Sequence, residues 1–157
     1  MCSMTNEQIN QSQSSNVEQN DWLLQSLVNM ANNDGIEIGI TLQVSGILVS
    51  GDLVSIETYF DEIGEEFLSG FVNRLEVEEL IKDSFSKFGE RFTKIQTDKT
   101  EIDQPLPQFL HLKNARFFHT SGNPVPTNRG VFWRGRISEV GGFCLGNLSI
   151  GDPIQII

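Results

Sequence analysis

The strict alternation of apolar and polar residues between positions 36 and 45 constrains the fold of this chain more than any other feature. Isoleucine, leucine and valine occupy the even positions, while polar residues or glycine occupy the odd ones. This period of two predicts a strand with one buried face. Ser45 and Gly46 can then turn the chain into a returning strand over residues 47–54, in which Gly51 marks a bend or bulge.

Helical periodicity predicts one helix before this hairpin and two helices after it. Three segments repeat apolar residues every three or four positions, and they are residues 24–31, 56–71 and 77–92. Asn20 or Asp21 is a suitable N-cap for the first helix, Gly35 is suited to end it, and Ser55 is a suitable N-cap for the second. Gly64 is expected to be a weak point of the second helix because glycine has low helix propensity.

Three further strands are predicted in the last third of the chain. Residues 109–118 and 131–140 have strand character, and Gly141 and Gly142 are expected to turn the chain tightly into a last strand at 143–146. These segments predict a second hairpin, formed by the last two strands.

The sum of these elements is α-β-β-α-α-β-β-β, which predicts an α+β domain. We expect a small curved antiparallel sheet or partly open barrel with an N-terminal helix and an inserted helical pair. Residues 1–20 are rich in Asn, Gln and Ser and predict a disordered polar tail. Residues 21–150 are expected to form the single α+β domain, and residues 151–157 a short C-terminal edge strand or tail.

The charge of the chain is negative and unevenly distributed. The 21 acidic and 11 basic residues give a net charge of −10. Residues 1–60 contribute −7 (7 acids, no bases), residues 61–104 contribute −6 (12 acids, 6 bases) and residues 105–157 contribute +3 (2 acids, 5 bases). The overall balance argues against broad binding to nucleic-acid phosphates and against adhesion to an anionic membrane. The sequence therefore has an acidic body and a mildly basic last third.

A reduced, cytoplasmic location is the simplest interpretation. The first residues lack the basic and apolar segments of a secretory signal, and no apolar run is long enough to cross a bilayer. The two cysteines, Cys2 and Cys144, lie near opposite ends of the chain, so a disulfide between them is not expected.

No group of residues has the pattern of a catalytic or metal site. His111 and His119 have no cysteine or acidic cluster nearby at metal-ligand spacing. Glu62, Glu65 and Glu66 fall on the polar side of an amphipathic helix, where a solvated face is the simplest interpretation. Phosphate-binding loops and nucleophile elbows are missing from the sequence. We therefore expect no enzymatic activity, no catalytic residue, no cofactor and no bound metal.

The residues most suited to binding a partner lie in the segment FWRGR, at positions 132–136. Within a strand, Phe132, Arg134 and Arg136 share one face. His111 and Lys113 would extend this face if the 109–118 strand is adjacent. The face is either a solvated side above core aromatics or a surface for an acidic partner, and the sequence leaves both interpretations open.

Four segments together resemble the gas vesicle accessory protein GvpU family. They are VSGILVSGDLVS at 44–55, YFD at 59–61, HLKN at 111–114 and FWRGRISEVGGFCLG at 132–146. The resemblance covers about residues 22–146 and implies a cytoplasmic, non-enzymatic protein with a role in vesicle assembly or clustering. It implies no catalytic residues. The shared residues of the last block are expected to form a hairpin core and turn, and they are Trp133, Gly135, Glu139, Gly142, Phe143 and Gly146.

Three functions follow as hypotheses. The first is an accessory protein that binds gas vesicles, their shell subunits or other gas vesicle proteins through multivalent contacts, with no nucleic acid or lipid membrane among its partners. It is expected to be a homo-oligomer, in which the basic residues of 105–157 meet the acidic helices of another copy. The second is a small-barrel RNA-binding module. The third is an enzyme, which needs the histidines and glutamates to converge in one pocket.

Overall fold

The computed structural model describes residues 20–70, 75–97, 105–120 and 123–149. The elements, in chain order, are α1 (Trp22–Asp34), β1 (Ile38–Val44), β2 (Ile47–Val54), α2 (Ile56–Ser69), α3 (Leu75–Thr97), β3 (Phe109–Phe118), β4 (Val131–Arg136), a 3₁₀ helix (Ile137–Glu139) and β5 (Val140–Leu145). This order confirms the predicted α+β class. The predicted tail, apart from Asn20, and the predicted C-terminal segment 151–157 lie outside the described residues.

Local sequence signals determine both ends of α1. The carboxylate of Asp21 accepts hydrogen bonds from the backbone N–H groups of Leu23 and Leu24, which satisfies two donors that the helix leaves unpaired. Gly35 ends the helix in the left-handed conformation, with φ 65°, which glycine adopts at little cost. Leu24 and Val28 are fully buried on the apolar face. The capping and termination predicted from the sequence are therefore confirmed.

The first hairpin also forms as predicted. β1 and β2 pair antiparallel from Ile38 opposite Leu53 to Val44 opposite Ile47. Ser45 and Gly46 join the strands, and both have positive φ, as in a type I′ hairpin turn.

Gly51 lies where the pairing of β2 with β3 shifts register, between Ser50 and Asp52. A Cβ atom at Gly51 would lie 2.8 Å from the carbonyl oxygen of Lys113, so only glycine allows the two backbones to approach this closely. The irregularity predicted at Gly51 is confirmed.

The five strands form one antiparallel sheet in the order β4-β3-β2-β1-β5. The predicted second hairpin is therefore wrong. The strand that begins at Val131 ends at Arg136, and after the 3₁₀ helix β5 pairs with β1 at the opposite edge. Gly141 is the extra residue of a bulge rather than part of a turn, because Val44 lies opposite Val140 and Gln43 lies opposite Gly142.

The short connection between β4 and β5 requires a strongly curved sheet. The step from Arg136 to Val140 can span at most about 14 Å. The outer strands of a flat five-stranded sheet would lie about 19 Å apart, from four spacings of about 4.8 Å. The sheet therefore curls until the ends of its outer strands approach each other, but it does not close. This agrees with the predicted curved sheet or partly open barrel.

The concave face of the sheet and α1 enclose the core. The residues of this cluster are almost fully buried, and they include Leu24, Val28, Ala31, Ile40, Leu42, Val49, Leu53, Leu110, Leu112, Ala115 and Ile137. On the opposite face, the ring of Tyr59 in α2 packs against His111 of β3 and Phe132 of β4. Of the helical pair inserted between β2 and β3, α2 thus packs on the side of the sheet opposite α1, and α3 packs on α2.

Two glycines allow α2 and α3 to pack closely. A Cβ atom at Gly64 would lie 2.9 Å from the Cβ of Phe85, and one at Gly89 would lie 3.1 Å from the Cα of Glu57. Gly64 was expected only to weaken α2. The structure shows that its missing side chain makes room for the neighbouring helix.

Candidate functional site

The pairing of β3 with β4 brings the predicted binding residues onto one face. His111 lies opposite Arg134, and Phe109 lies opposite Arg136. His111 and Lys113 were expected to extend the FWRGR face only if the two strands are neighbours, and β3 and β4 are neighbours. The five predicted residues nevertheless have very different surroundings.

Arg134 and Arg136 are exposed and flank the ring of Phe109. The guanidinium carbon of Arg134 lies 3.7 Å from the ring centroid and that of Arg136 lies 5.9 Å from it. This geometry allows cation–π attraction, which holds the charges in place without neutralising them. Within the described part of the chain, neither arginine forms a salt bridge. Their positive charges are therefore available to another molecule.

His111 is an interior residue, with only 2% of its surface exposed. Its ring lies 4.8 Å from that of Tyr59 and 6.1 Å from that of Phe60, measured between centroids. Burial, together with repulsion from Arg134, lowers the pKa of His111 to about 3. The side chain is therefore neutral at cellular pH and adds no positive charge to the surface.

The protonation of His111 follows from its contact with Arg134. The Nε–H of Arg134 donates to Nε2 of His111 at 3.2 Å, so Nε2 carries the lone pair and the proton lies on Nδ1. Nδ1 is buried and has no hydrogen-bond partner among the described residues. His111 thus orients the guanidinium of Arg134 and accepts no proton from it.

Lys113 and Phe132 are engaged within the chain. The ammonium group of Lys113 lies 2.5 Å from a carboxylate oxygen of Glu37 and 3.5 Å from one of Glu62. The hydrogen bond to Glu37 raises the pKa of Lys113, so it stays charged but already paired. Phe132 is half-buried and meets Tyr59 edge to face, with the centroids 5.8 Å apart. Arg134 and Arg136 are the two predicted residues whose charge is exposed and unpaired.

A cavity of about 270 Å³ opens beside Arg134. Its walls are mostly apolar, and they are formed by Asn32, Ile56, Pro105, Leu106, Gln108, Phe109, His111 and Arg134. Most of these residues were not predicted as site residues, because they come from four separate segments that no spacing pattern connects. One residue could have been noticed in the sequence, because Leu106 is an apolar residue between two prolines. The structure shows that its side chain is exposed. An apolar hollow beside an arginine can hold an apolar side chain that has an acidic neighbour.

The shared residues of the FWRGRISEVGGFCLG segment are distributed over both edges of the sheet. Trp133 and Phe143 pack against the core from β4 and β5, while Glu139, Gly142 and Gly146 are exposed. A Cβ atom at Gly135 would lie 2.1 Å from Cη2 of Trp133, so the indole ring occupies the space that a side chain would need. Trp133 is half-buried and packs against the core on the inward face, but these residues do not form one hairpin.

Within residues 20–70, 75–97, 105–120 and 123–149, no three His, Cys, Asp or Glu residues are grouped so that they could hold a metal ion. The helices of this part of the chain include none that is both long enough and apolar enough to span a membrane. Cys144 is an exposed free thiol in β5.

Comparison with known proteins gives one match. The family model described as "Gas vesicle protein GvpU-like" matches residues 21–148, which is most of the chain and nearly the whole described region. No curated protein and no solved structure matches the chain.

Proposed function

Because the chain belongs to the gas vesicle GvpU-like family, we propose that it is a non-enzymatic accessory protein that binds gas vesicles or their shell subunits. It influences their assembly or clustering through several weak protein contacts per particle. The family match over residues 21–148 is the observation that carries this proposal. The cytoplasm, where vesicles and their subunits would be accessible, is the proposed location.

The pair Arg134 and Arg136 supports an acidic partner surface. Two other bases of the basic last third are already paired within the chain, Lys113 with Glu37 and Arg129 with Glu66 at 2.6 Å. Arg134 and Arg136 have no such partner among the described residues. Charges that are held in place but unpaired favour association with a surface of opposite sign.

The cavity beside Arg134 supports a partner segment that combines an acidic group with an apolar side chain. The apolar side chain enters between Ile56, Leu106 and Phe109 while the acidic group meets the guanidinium. An anchor in a pocket beside a charge contact gives more specificity than either alone.

Clustering follows from multivalency. A vesicle presents many copies of its shell subunit, so weak contacts multiply when several copies of this chain act together. Self-association of the chain would then tether one vesicle to another. We therefore propose that the active form is a homo-oligomer.

A co-flotation assay with purified gas vesicles tests the charge contact. Reversal of both arginines, Arg134→Glu with Arg136→Glu, should weaken vesicle binding roughly tenfold or more at low salt, because attraction to an acidic surface becomes repulsion. The matched control is Lys82→Glu with Lys87→Glu, which reverses two exposed lysines on α3 and changes the net charge equally. This control should bind nearly as well as the unaltered chain.

An equal loss in both variants would show that binding depends on net charge alone, and no loss in either would contradict the proposed surface. The RNA-binding alternative gains no support from the family match. A fluorescent RNA titration at low salt tests it directly, and tight binding that Arg134→Glu with Arg136→Glu abolishes would favour RNA as the ligand.

A further inference from the structure

The two outer strands of the sheet each have one open edge. β4 pairs with β3 and β5 pairs with β1, and in the described part of the chain neither has a second neighbouring strand. Both are six residues long. An open edge carries unpaired N–H and C=O groups that can pair with another strand.

The hydrogen bonds of β4 show which of its backbone groups face outward. The N–H of Ile137 donates to the carbonyl of Gln108 at 2.9 Å, directly across the ladder. In an antiparallel pair, inward and outward groups alternate along the strand. The backbone N–H groups of Arg134 and Arg136 therefore point to the open edge, while that of Gly135 points to β3.

The same reasoning applies to β5. The N–H of Gly146 donates to the carbonyl of Gly39 at 2.7 Å, so this pair belongs to the bonded set. Because the register continues unchanged from here to Gln43, the N–H groups of Phe143 and Leu145 point to the open edge.

β5 is only partly protected as an edge strand, because its short length and the bulge at Gly141 limit pairing along part of it. It contains no charged residue and no proline, which are the common devices that block pairing with other chains. Leu145, the last residue of β5, is 64% exposed to solvent. The part of β5 beyond the bulge, from Gly142 to Leu145, is therefore uncharged and can pair with a strand from another molecule.

We propose that copies of this chain join through their edges, with β4 of one copy pairing with β5 of the next. The charges favour this pairing over β4 against β4. β4 against β4 would bring Arg134 and Arg136 near their own copies, and like charges across strands are destabilising. β4 against β5 places the arginines beside a neutral strand that begins after the exposed Glu139. β5 against β5 would use one edge and stop at a dimer.

A contact between two different edges is heterologous, so it leaves each new copy with one edge free. It therefore builds a ring or an open chain instead of stopping at two copies. This inference rests on the self-association in the proposed function and specifies how it occurs. One neighbouring copy supplies a strand at the β4 edge, and another supplies a strand at the β5 edge.

Two proline variants test the pairing, each blocking one edge. Leu145→Pro removes an outward N–H of β5 without removing a bond to β1, and Leu145→Thr is its control because it keeps the N–H. Arg136→Pro blocks β4, where φ −80° and ψ 135° suit proline, and Arg136→Gln is its control. Masses are measured by analytical ultracentrifugation over a range of concentrations, and folding is checked by circular dichroism and thermal melting.

The unaltered chain and both control variants should form species larger than dimers. Each proline variant alone should be monomeric. A one-to-one mixture of the two proline variants should form a heterodimer and nothing larger, because only one β4–β5 contact remains possible. The heterodimer distinguishes the β4–β5 contact from a symmetric contact, because a symmetric contact would let one of the two proline variants form a homodimer by itself.

The proposal fails if either proline variant forms a homodimer, if the mixture stays monomeric, or if the proline variants keep the mass of the unaltered chain. A full-length monomer that oligomerises only after removal of residues 150–157 would also overturn it, because this segment would then cover the edge. Should Leu145→Pro lose its melting transition, Leu145→Lys tests the same edge, because it places a positive charge beside the arginines of the neighbouring β4, where like charges are destabilising.

Vesicle binding separates the failure of this inference from the failure of the proposed function. If both are right, Leu145→Pro still binds vesicles but no longer clusters them. If only the edge pairing is wrong, Leu145→Pro binds and clusters like the unaltered chain. If only the vesicle function is wrong, no variant binds vesicles, but the proline variants are still monomeric and their mixture still forms a heterodimer.

Discussion

The indole ring of Trp133 lies across Gly135, two positions further along the same strand. A Cβ atom at Gly135 would lie 2.1 Å from Cη2 of the ring, so alanine forces the ring out of its contact with the core. We expect Gly135→Ala to lower the free energy of unfolding by about 1–3 kcal/mol, the range typical of overpacking. Urea denaturation monitored by tryptophan fluorescence measures this.

Gly142→Ala is the matched control for Gly135→Ala. A Cβ atom at Gly142 would meet nothing within 4 Å. We expect a change of less than about 0.5 kcal/mol, since alanine there restricts the unfolded chain without a clash in the folded one. Equal losses in the two variants would show that the edge strands are sensitive to any side chain, and that the ring of Trp133 is not the cause.

His111 should make stability depend on pH. Its pKa is about 3 in the folded chain and near the ordinary 6.5 in the unfolded chain. The unfolded chain therefore binds more protons between pH 3 and 6.5, so stability falls as the pH drops through this window and levels off below about 3. We expect a loss of roughly 2–3 kcal/mol from this group between pH 7 and pH 4.5.

His111→Gln isolates this contribution, because glutamine does not titrate and can still accept a hydrogen bond from Arg134. Urea denaturation at pH 7 and pH 4.5 gives the free energy of unfolding of both proteins. The unaltered chain should lose more stability than His111→Gln on acidification. Identical losses would mean that His111 is not buried in neutral form, and that the acidic residues account for the whole pH dependence.

At the scale of elements, the packing of α2 on α3 depends on glycine. In an isolated helix, Gly64→Ala would stabilise by about 1 kcal/mol through helix propensity. Here a Cβ would lie 2.9 Å from the Cβ of Phe85, so we expect a net destabilisation of about 1–2 kcal/mol. Thermal and urea denaturation give the sign of the change.

The double variant shows whether Phe85 is the cause. In a Phe85→Ala background the ring contacts at 3.2 Å and beyond are gone while the Cβ at 2.9 Å remains, so adding Gly64→Ala should cost less than it does in the unaltered chain. The difference between the two backgrounds is the coupling between positions 64 and 85. Simple additivity of the two changes would contradict a direct contact.

The elements differ in how far they could be predicted. The first hairpin, its turn and the caps of α1 depend on neighbouring residues, so local patterns identified them. The partner of β5 depends on the curvature of the whole sheet, and a two-residue glycine segment that suits a turn also suits a bulge. The sequence therefore predicted a strand beside Gly141 and Gly142 correctly but assigned it to the wrong neighbour.

At the scale of the whole molecule, the uneven charge suggested that basic residues meet acidic helices. Part of this occurs within one copy, where Arg129 pairs with Glu66 and Lys113 with Glu62. Chain order cannot distinguish such internal pairs from contacts between copies. The candidate site was also predictable only in part. The alternation along β4 showed which side carries the arginines. The burial of His111 could not be predicted, because it depends on Tyr59, which comes from a distant segment.

Salt should separate the two kinds of contact. At about 0.5 M salt, charges on the surface are screened within a few Å. We therefore expect vesicle binding through Arg134 and Arg136 to fall steeply with salt, while the mass of the oligomer changes little because backbone pairing and apolar burial hold it. Sedimentation and co-flotation at low and high salt measure both quantities. An oligomer that dissociates with salt, with Leu145→Pro still oligomeric at low salt, would favour the charge-based association predicted from the sequence.

The single 3₁₀ turn between β4 and β5 has a consequence for the shape of any assembly. Ile137 anchors this turn in the core, with 1% of its surface exposed, so the two edges are held at a fixed angle to each other. Each added copy would then be rotated by the same amount relative to the one before. The curvature of the assembly, and hence the number of copies at which it closes, would be a property of the monomer, independent of its concentration.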